Sequence, residues 1–486
     1  MKKITKFGVL ATACMLLMQG CGAKEENYDS LLNPNKPVTL EIWTYYNGTQ
    51  KAAFDELVTE FNETVGAEKG IVVEAYSQGN VNDLITKVEE AAEKKVGAGE
   101  IPDIFAAYAD TAYKVDKLGL VASIDKYMSE AELASYRDEY VSEGQIGEDG
   151  SLKIFPIAKS TELMMLNKTD WDRFAEASGA TLDDLKTIEG VTKVARAYYE
   201  WTDSLTPQPN DGKAFFGRDA MANYMIIGSR QLGKEIFAVT GNEVTLNLDR
   251  EIFKKLWDNY YVPYIRGYFT AQGRFRSDDA KTGDLIALVG SSSGAAYFPK
   301  EVEVSDVESY PIESVLAPAP MFEQGEKIAV QQGAGMVVTA SDTQHEYASV
   351  LFLKWFTEEE RNIEFSLSSG YLPVKKAAND IETIKKVMES NAELGSAEMI
   401  GVVEVAENQL SEVQLYTTKA FEGGNDARSL LDTSMQDRAK ADREQVIERL
   451  AQGQSLDEAA AEFETDAYFD AWFAALSQQM QEIVQE

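Results

Sequence analysis

From Val38 onward, short apolar runs alternate with stretches whose apolar residues recur every three or four positions. That alternation restricts the chain to an α/β architecture, in which mostly parallel sheets are flanked by helices. Val38–Trp43 reads as a first strand. Phe54, Leu57, Val58 and Phe61 then recur at helical spacing, and Ile71–Tyr76 reads as a second strand. Leu84–Ala92 returns to a helical pattern, and Pro102–Tyr108 gives a third strand whose proline stands at its start, where a missing N–H costs no ladder hydrogen bond. The region 437–484 is helical, with Val446, Leu450, Leu456 and Phe463 on one face and Tyr468, Phe469, Trp472 and Phe473 set to pack on a neighbouring domain. The roughly 450 residues after Pro37 are enough for two or three domains.

In open α/β sheets, ligands sit beyond the carboxyl ends of the strands. The residues there are Trp43, Thr44, Tyr45, Tyr46 and Asn47 after the first strand, Ser77, Gln78, Gly79 and Asn80 after the second, and Tyr108, Ala109 and Asp110 after the third. Aromatic rings can stack on the C–H face of a pyranose while amides and a carboxylate take its hydroxyls. Trp43, Tyr45, Gln78, Asn80, Tyr108 and Asp110 are therefore expected ligand contacts. Trp43 is the expected stacking platform, with Tyr45, Tyr46 and Tyr297 as the next candidates.

The N-terminus points to export. Lys2, Lys3 and Lys6 precede an uncharged stretch from Gly8 to Met18, too short to span a bilayer, so residues 1–20 read as a signal peptide. Leu17-Met18-Gln19-Gly20-Cys21 resembles a bacterial lipobox, which makes Cys21 the expected lipidation site and residues 21–37 a polar, poorly ordered tether. The other cysteine, Cys14, lies in the leader, so the mature domain is left with no disulfide, no thiolate nucleophile and no cysteine-ligated zinc. No metal or cofactor is expected. The formal charge of −35 becomes −38 without the three leader lysines, and a polyanion of this kind excludes nucleic acid as a partner.

A catalytic reading has one foothold. Gly290-Ser291-Ser292-Ser293-Gly294 matches Gly-x-Ser-x-Gly after the strand-like Leu285–Val289, which would make Ser292 a nucleophile with His345, the one histidine, as its base. His345 lies at the start of a helical run, where a solvent-exposed role is ordinary, and serine-rich turns also serve simply to bend a chain. The expectation is therefore that the protein is not an enzyme.

Four stretches resemble the family 1 extracellular solute-binding proteins of bacterial ABC importers, which include maltose-type, multiple-sugar and glycerol-phosphate receptors. They are Leu40-Glu41-Ile42-Trp43-Thr44-Tyr45 with Phe54 and Phe61-Asn62, Ile101-Pro102-Asp103-Ile104, the run from Pro156 to Lys168, and Ser369-Gly370-Tyr371-Leu372-Pro373-Val374. The resemblance implies a two-lobe, periplasmic-binding-protein-like fold of type II joined by hinge strands. Lobe 1 would hold 38–155 plus 330–368, and lobe 2 would hold 156–329 plus 369–486 with the C-terminal helices. Ala317-Pro318-Ala319-Pro320 suits the return crossing between them. By the same resemblance, Ser160 and Glu162 in the first crossing, Ser292 with Ser291 and Ser293, Gly333 with Gly335, and Tyr371 are implied ligand contacts. Whether Tyr416 and Phe421 line the cleft is left open. Gly79-Asn80-Val81 stands where the glycerol-phosphate receptors present a tyrosine, and Thr418-Lys419-Ala420-Phe421-Glu422 lies near the place of their phosphate-binding arginine. A neutral sugar or oligosaccharide is thus expected rather than a phosphate. The implied setting is a monomer, lipid-anchored outside the cytoplasmic membrane, that delivers its solute to an ABC permease.

Overall fold

The computed structural model describes residues 28–147, 150–241, 243–390 and 397–485. The leader and Cys21 lie outside the described residues. Among those described, no helix is long and apolar enough to cross a membrane.

The strands that organise the molecule are β1 (Val38–Thr44), β2 (Ile71–Ser77), β3 (Ile104–Ala107), β4 (Ile154–Phe155), β5 (Glu162–Asn167), β6 (Phe216–Arg218), β7 (Ala287–Ser291), β8 (Ser314–Pro318) and β9 (Gly335–Val338). They form two separate sheets, ordered β2-β1-β3-β9-β4 and β8-β5-β7-β6. β1 runs parallel to β2 and β3, and β6 runs parallel to β7. The sheets are mixed rather than mostly parallel because β5 and β9, each of which follows a crossing between sheets, return antiparallel to their neighbours.

Each sheet has its own core. On the first, Leu40, Ile42, Phe105 and Val337 are buried against Phe54 and Phe61 of the Gly48–Phe61 helix and Phe352 and Phe356 of the Thr343–Phe356 helix. The Phe61 and Phe352 rings meet edge-on at 5.1 Å. On the second, Met164, Leu166 and Val289 pack with Phe174, Tyr198 and Tyr260. The C-terminal helices close this lobe: Trp472 and Phe469, from the Asp466–Gln485 helix, lie 4.8 and 5.7 Å from Trp257. Buried Asp442, in the Gly424–Ala451 helix, accepts hydrogen bonds from Tyr261, Tyr468 and Arg438 at 2.5, 2.7 and 2.9 Å, which offsets the cost of removing a carboxylate from water.

Three chain crossings lie side by side between the sheets. Ser160 and Gln332 exchange backbone hydrogen bonds, both 2.9 Å, and Lys159 does the same with Leu372 at 3.1 and 2.6 Å. The Lys159 ammonium is buried at this junction and is held by Glu143 at 2.6 Å and the Gly333 carbonyl at 2.8 Å. Gly333 has φ +90°, and a Cβ there would stand 2.7 Å from the Ala158 carbonyl, so the crossings can approach only at glycine. The return crossing is not at Ala317–Pro320. Ser314–Pro318 pairs with β5 as an edge strand, a place that tolerates proline, and the chain passes between lobes later, near Gln332.

Residues 21–27 of the tether lie outside the described residues, and from Tyr28 onward the expected poor order is not found. Tyr28–Leu31 is a short 3-10 helix seated on lobe 1, with the Tyr28 ring 4.9 Å from Tyr127 and 5.4 Å from Tyr347. Tyr347 also donates its hydroxyl to Asp29 at 2.9 Å.

Candidate ligand-binding cleft

Where β1 ends, the chain leaves the sheet and turns Tyr45 toward the gap between the lobes. Its hydroxyl lies 3.2 Å from that of Tyr371, and the Tyr108 hydroxyl joins the pair from the start of the Ala109–Lys117 helix. Burial raises the ionisation of all three well out of the physiological range, so they stand as neutral hydroxyls that both donate and accept. Tyr371 also reaches Ser293 on the far side. Gly370, with φ +73°, lets this segment press on the serine turn: a Cβ there would lie 2.9 Å from the Ser292 carbonyl.

The opposing wall is polar. Ser291 and Ser293 bond through their hydroxyls at 2.9 Å, while the Ser292 hydroxyl and the Gln332 side-chain oxygen are buried without a partner among the described residues. Buried Glu162, on β5, accepts from Arg218 at 2.8 Å and from Asn223 at 2.9 Å, and Arg428 donates to Asn223 in turn. The narrow cavity beside this network, lined by Thr161, Glu162, Arg218, Asn223 and Gln409, has room for little more than water. Asp219, at the end of β6, is pushed up to about 6 by burial, against the pull of Arg276. Among the described residues no cluster of histidine, cysteine or carboxylates is placed to hold a metal.

Two sheets, three crossings and a hydroxyl-lined gap between the lobes define the candidate site. Residues 56–393 match the sequence profile of the family described as bacterial extracellular solute-binding protein. The chain belongs to this family. Its members bind solutes and are not enzymes, and the family is extracytoplasmic. Among curated relatives, the maltotriose-binding protein of Pyrococcus abyssi (strain GE5 / Orsay) is 24% identical over 302 residues, which covers 61% of this chain and 60% of that protein. Among solved structures, the cyclic alpha-maltosyl-1,6-maltose binding protein of Arthrobacter globiformis superposes with a TM-score of 0.63 at 19% identity, covering 92% of this chain and 100% of that one. UgpB of Mycobacterium tuberculosis, solved in complex with glycerophosphocholine, gives 0.64 at 17% identity, covering 92% and 98%. These likenesses confirm the two-lobe α/β fold.

In this solute-binding protein, Tyr45, Tyr108, Tyr371 and the serine turn come together, and Ser160 and Gly333 lie at the crossings beside them. Trp43 does not join them. It shares the β1 face of Glu41, to which its indole N–H donates at 2.5 Å, and it is buried in the lobe 1 core. Trp43→Ala is accordingly expected to lower stability by roughly 3 kcal/mol, read as a fall in melting temperature, with solute affinity little changed. Tyr46 likewise packs on Phe54 and Phe365. Gln78 accepts from Lys87 at 2.9 Å, and the Asn80 side chain caps the Val81–Ala92 helix by accepting from the Asp83 N–H at 3.0 Å. Asp110 turns its carboxylate to the backbone N–H of Phe421 and toward Arg428, both on the other lobe.

The late residues divide. Phe421 packs its ring on Phe237 at 5.0 Å in the lobe 2 core, and Tyr416 donates to Glu235 at 2.8 Å. Ser292 cannot serve His345 as a nucleophile would. The serine is fully buried, whereas His345 is bonded through Nδ1 at 2.7 Å to Asp342, the cap of its own helix. Sequence reasoning missed Arg218, Asn223 and Arg428.

Proposed function

We propose that the protein captures a neutral carbohydrate, a sugar or short oligosaccharide, between its lobes and delivers it to an ABC permease at the outer face of the membrane. The observation that carries this reading is the meeting of three neutral tyrosine hydroxyls with a serine turn across the gap, a set that both donates and accepts and so suits sugar hydroxyls. The carbohydrate-binding relatives support it. Lobe 1 (38–155 plus 330–371, since the Tyr371 ring packs in its core) and lobe 2 (156–329 plus 372–486) would move as rigid bodies about the crossings near Pro156 and Gln332. The chain would act as a monomer held by lipid on Cys21.

A glycerophosphodiester is the second reading, favoured by the exposed Arg428 guanidinium beside Asn223. A thermal-shift panel of maltose, maltotriose, cyclic oligosaccharides and glycerophosphocholine separates the two. A solute at 100 times its Kd stabilises by ~2.7 kcal/mol. A shift with a carbohydrate and none with glycerophosphocholine is expected, and the reverse would select the second reading. For the anchor, Cys21→Ser is expected to move the protein from the membrane fraction to the medium or periplasm while solute binding stays as it was. Retention in the membrane would contradict the lipid attachment.

A further inference from the structure

The lobes touch at places other than the crossings. At one rim, Asp110, in the first turn of the Ala109–Lys117 helix of lobe 1, sets its carboxylate against the start of the Gly424–Ala451 helix of lobe 2. It faces the Phe421 N–H and the Arg428 guanidinium, and it packs so closely on Gly424 that a Cβ there would have no space. Asn425 donates to Thr111 at 3.2 Å beside it. At a second point, Arg137 of lobe 1 donates to Glu407 of the Ala397–Leu410 helix at 3.2 Å, with the Tyr140 ring under the guanidinium and Glu139 and Glu143 around that ring's hydroxyl. The second Glu407 oxygen is buried without a partner among the described residues. At a third, Tyr297 donates to the Asn47 carbonyl at 3.2 Å, a contact with no titratable partner in the neutral range.

We propose that the two carboxyl groups at the lobe interface, Asp110 and Glu407, couple closure to proton uptake, so that acid draws the lobes together. Each faces one arginine of the opposite lobe, but each is also withdrawn from water, Asp110 by its close packing on Gly424 and Glu407 with one oxygen buried and unpartnered among the described residues. Burial outweighs the arginine in both, lifting Asp110 to about 6 and Glu407 to about 7. With the lobes apart, the carboxyls meet water and return toward the ordinary carboxyl range. A group with the higher pKa in the closed form gains a proton on closing. Closure is therefore favoured as pH falls below about 7 for Glu407 and about 6 for Asp110, and the effect is absent at pH 8, where both forms are ionised. At pH 5, Asp110 alone would raise the closed-to-open ratio about tenfold over pH 8.

Small-angle scattering of the protein with no added solute, at pH 8 and pH 5, tests this independently of which solute it carries. The radius of gyration is expected to fall between the two, with a closed-to-open ratio at least tenfold higher at pH 5. The Asp110→Asn/Glu407→Gln variant is expected to be compact at both, and Asp110→Asn alone to retain only the part of the response that belongs to Glu407. Far-ultraviolet circular dichroism at each pH confirms that the compared samples are folded. A wild-type radius that is constant or grows with acid would overturn the proposal. So would a double variant that keeps the wild-type pH response, since general relief of charge repulsion would then be the cause.

Discussion

Tyr371→Ala is expected to weaken carbohydrate binding at least thirtyfold. The ring is 4% exposed, lies parallel to Phe365 at 6.0 Å, and places its hydroxyl between Tyr45 of its own lobe and Ser293 of the other. Truncating an aromatic anchor in a desolvated site typically costs ~2 kcal/mol or more, which is the thirtyfold. Because the ring also belongs to the lobe 1 core, the same change should lower the melting temperature. Tyr371→Phe separates the two effects, since it keeps the packing and removes only the hydroxyl. Titration calorimetry should find a loss of about fivefold for the phenylalanine variant, in line with one hydrogen bond of ~1 kcal/mol, with little change in stability. If Tyr371→Phe binds as the wild type does, the hydroxyl cluster is not what grips the solute.

Glu162→Gln carries the largest expected cost in stability, roughly 3 kcal/mol or more. Its carboxylate is the counter-ion of Arg218, and both side chains are nearly inaccessible to water, at 9% and 6%. Removing one member of such a pair leaves the other charge buried and unbalanced. Chemical denaturation should show the midpoint falling without a change in slope. The double variant Glu162→Gln/Arg218→Met should recover much of the loss, because a buried pair replaced by apolar groups of similar size is often neutral. A double variant less stable than Glu162→Gln would show that Arg218 is held by something other than Glu162.

Elements set by local patterning were legible in the sequence. β1 and β2 fall within one residue of the apolar runs that announce them, and the C-terminal aromatics pack where their helical spacing directs. Lobe 2 was harder to read in detail because its sheet is built from short strands that pair across long separations, such as β5 with β8. Tyr45 and Tyr108 were visible as residues beyond strand ends, and Tyr371 through the family resemblance of Ser369–Val374. Trp43 was not separable from them by position alone, yet its register was already in the sequence: Leu40 and Ile42 are the apolar face of β1, which leaves Trp43 on the face of Glu41. The role of Asn80 was also written locally, since Asn80-Val81-Asn82-Asp83 ahead of a helical run is a capping pattern. Asp110 and Glu162 could not be read in that way. Their partners stand at Phe421 and Arg428, and at Arg218 and Asn223, and only the folded chain brings such distant positions together.

The central claim is that the lobes close over a carbohydrate, and small-angle scattering at pH 8 with and without saturating maltotriose tests it most directly. At that pH the interface carboxyls are ionised and do not themselves favour closure. The radius of gyration is expected to fall on adding the sugar, and Tyr371→Ala to need at least thirtyfold more sugar for the same fall. A profile that maltotriose and every other carbohydrate of the panel leave unchanged, while glycerophosphocholine compacts the protein, would contradict it.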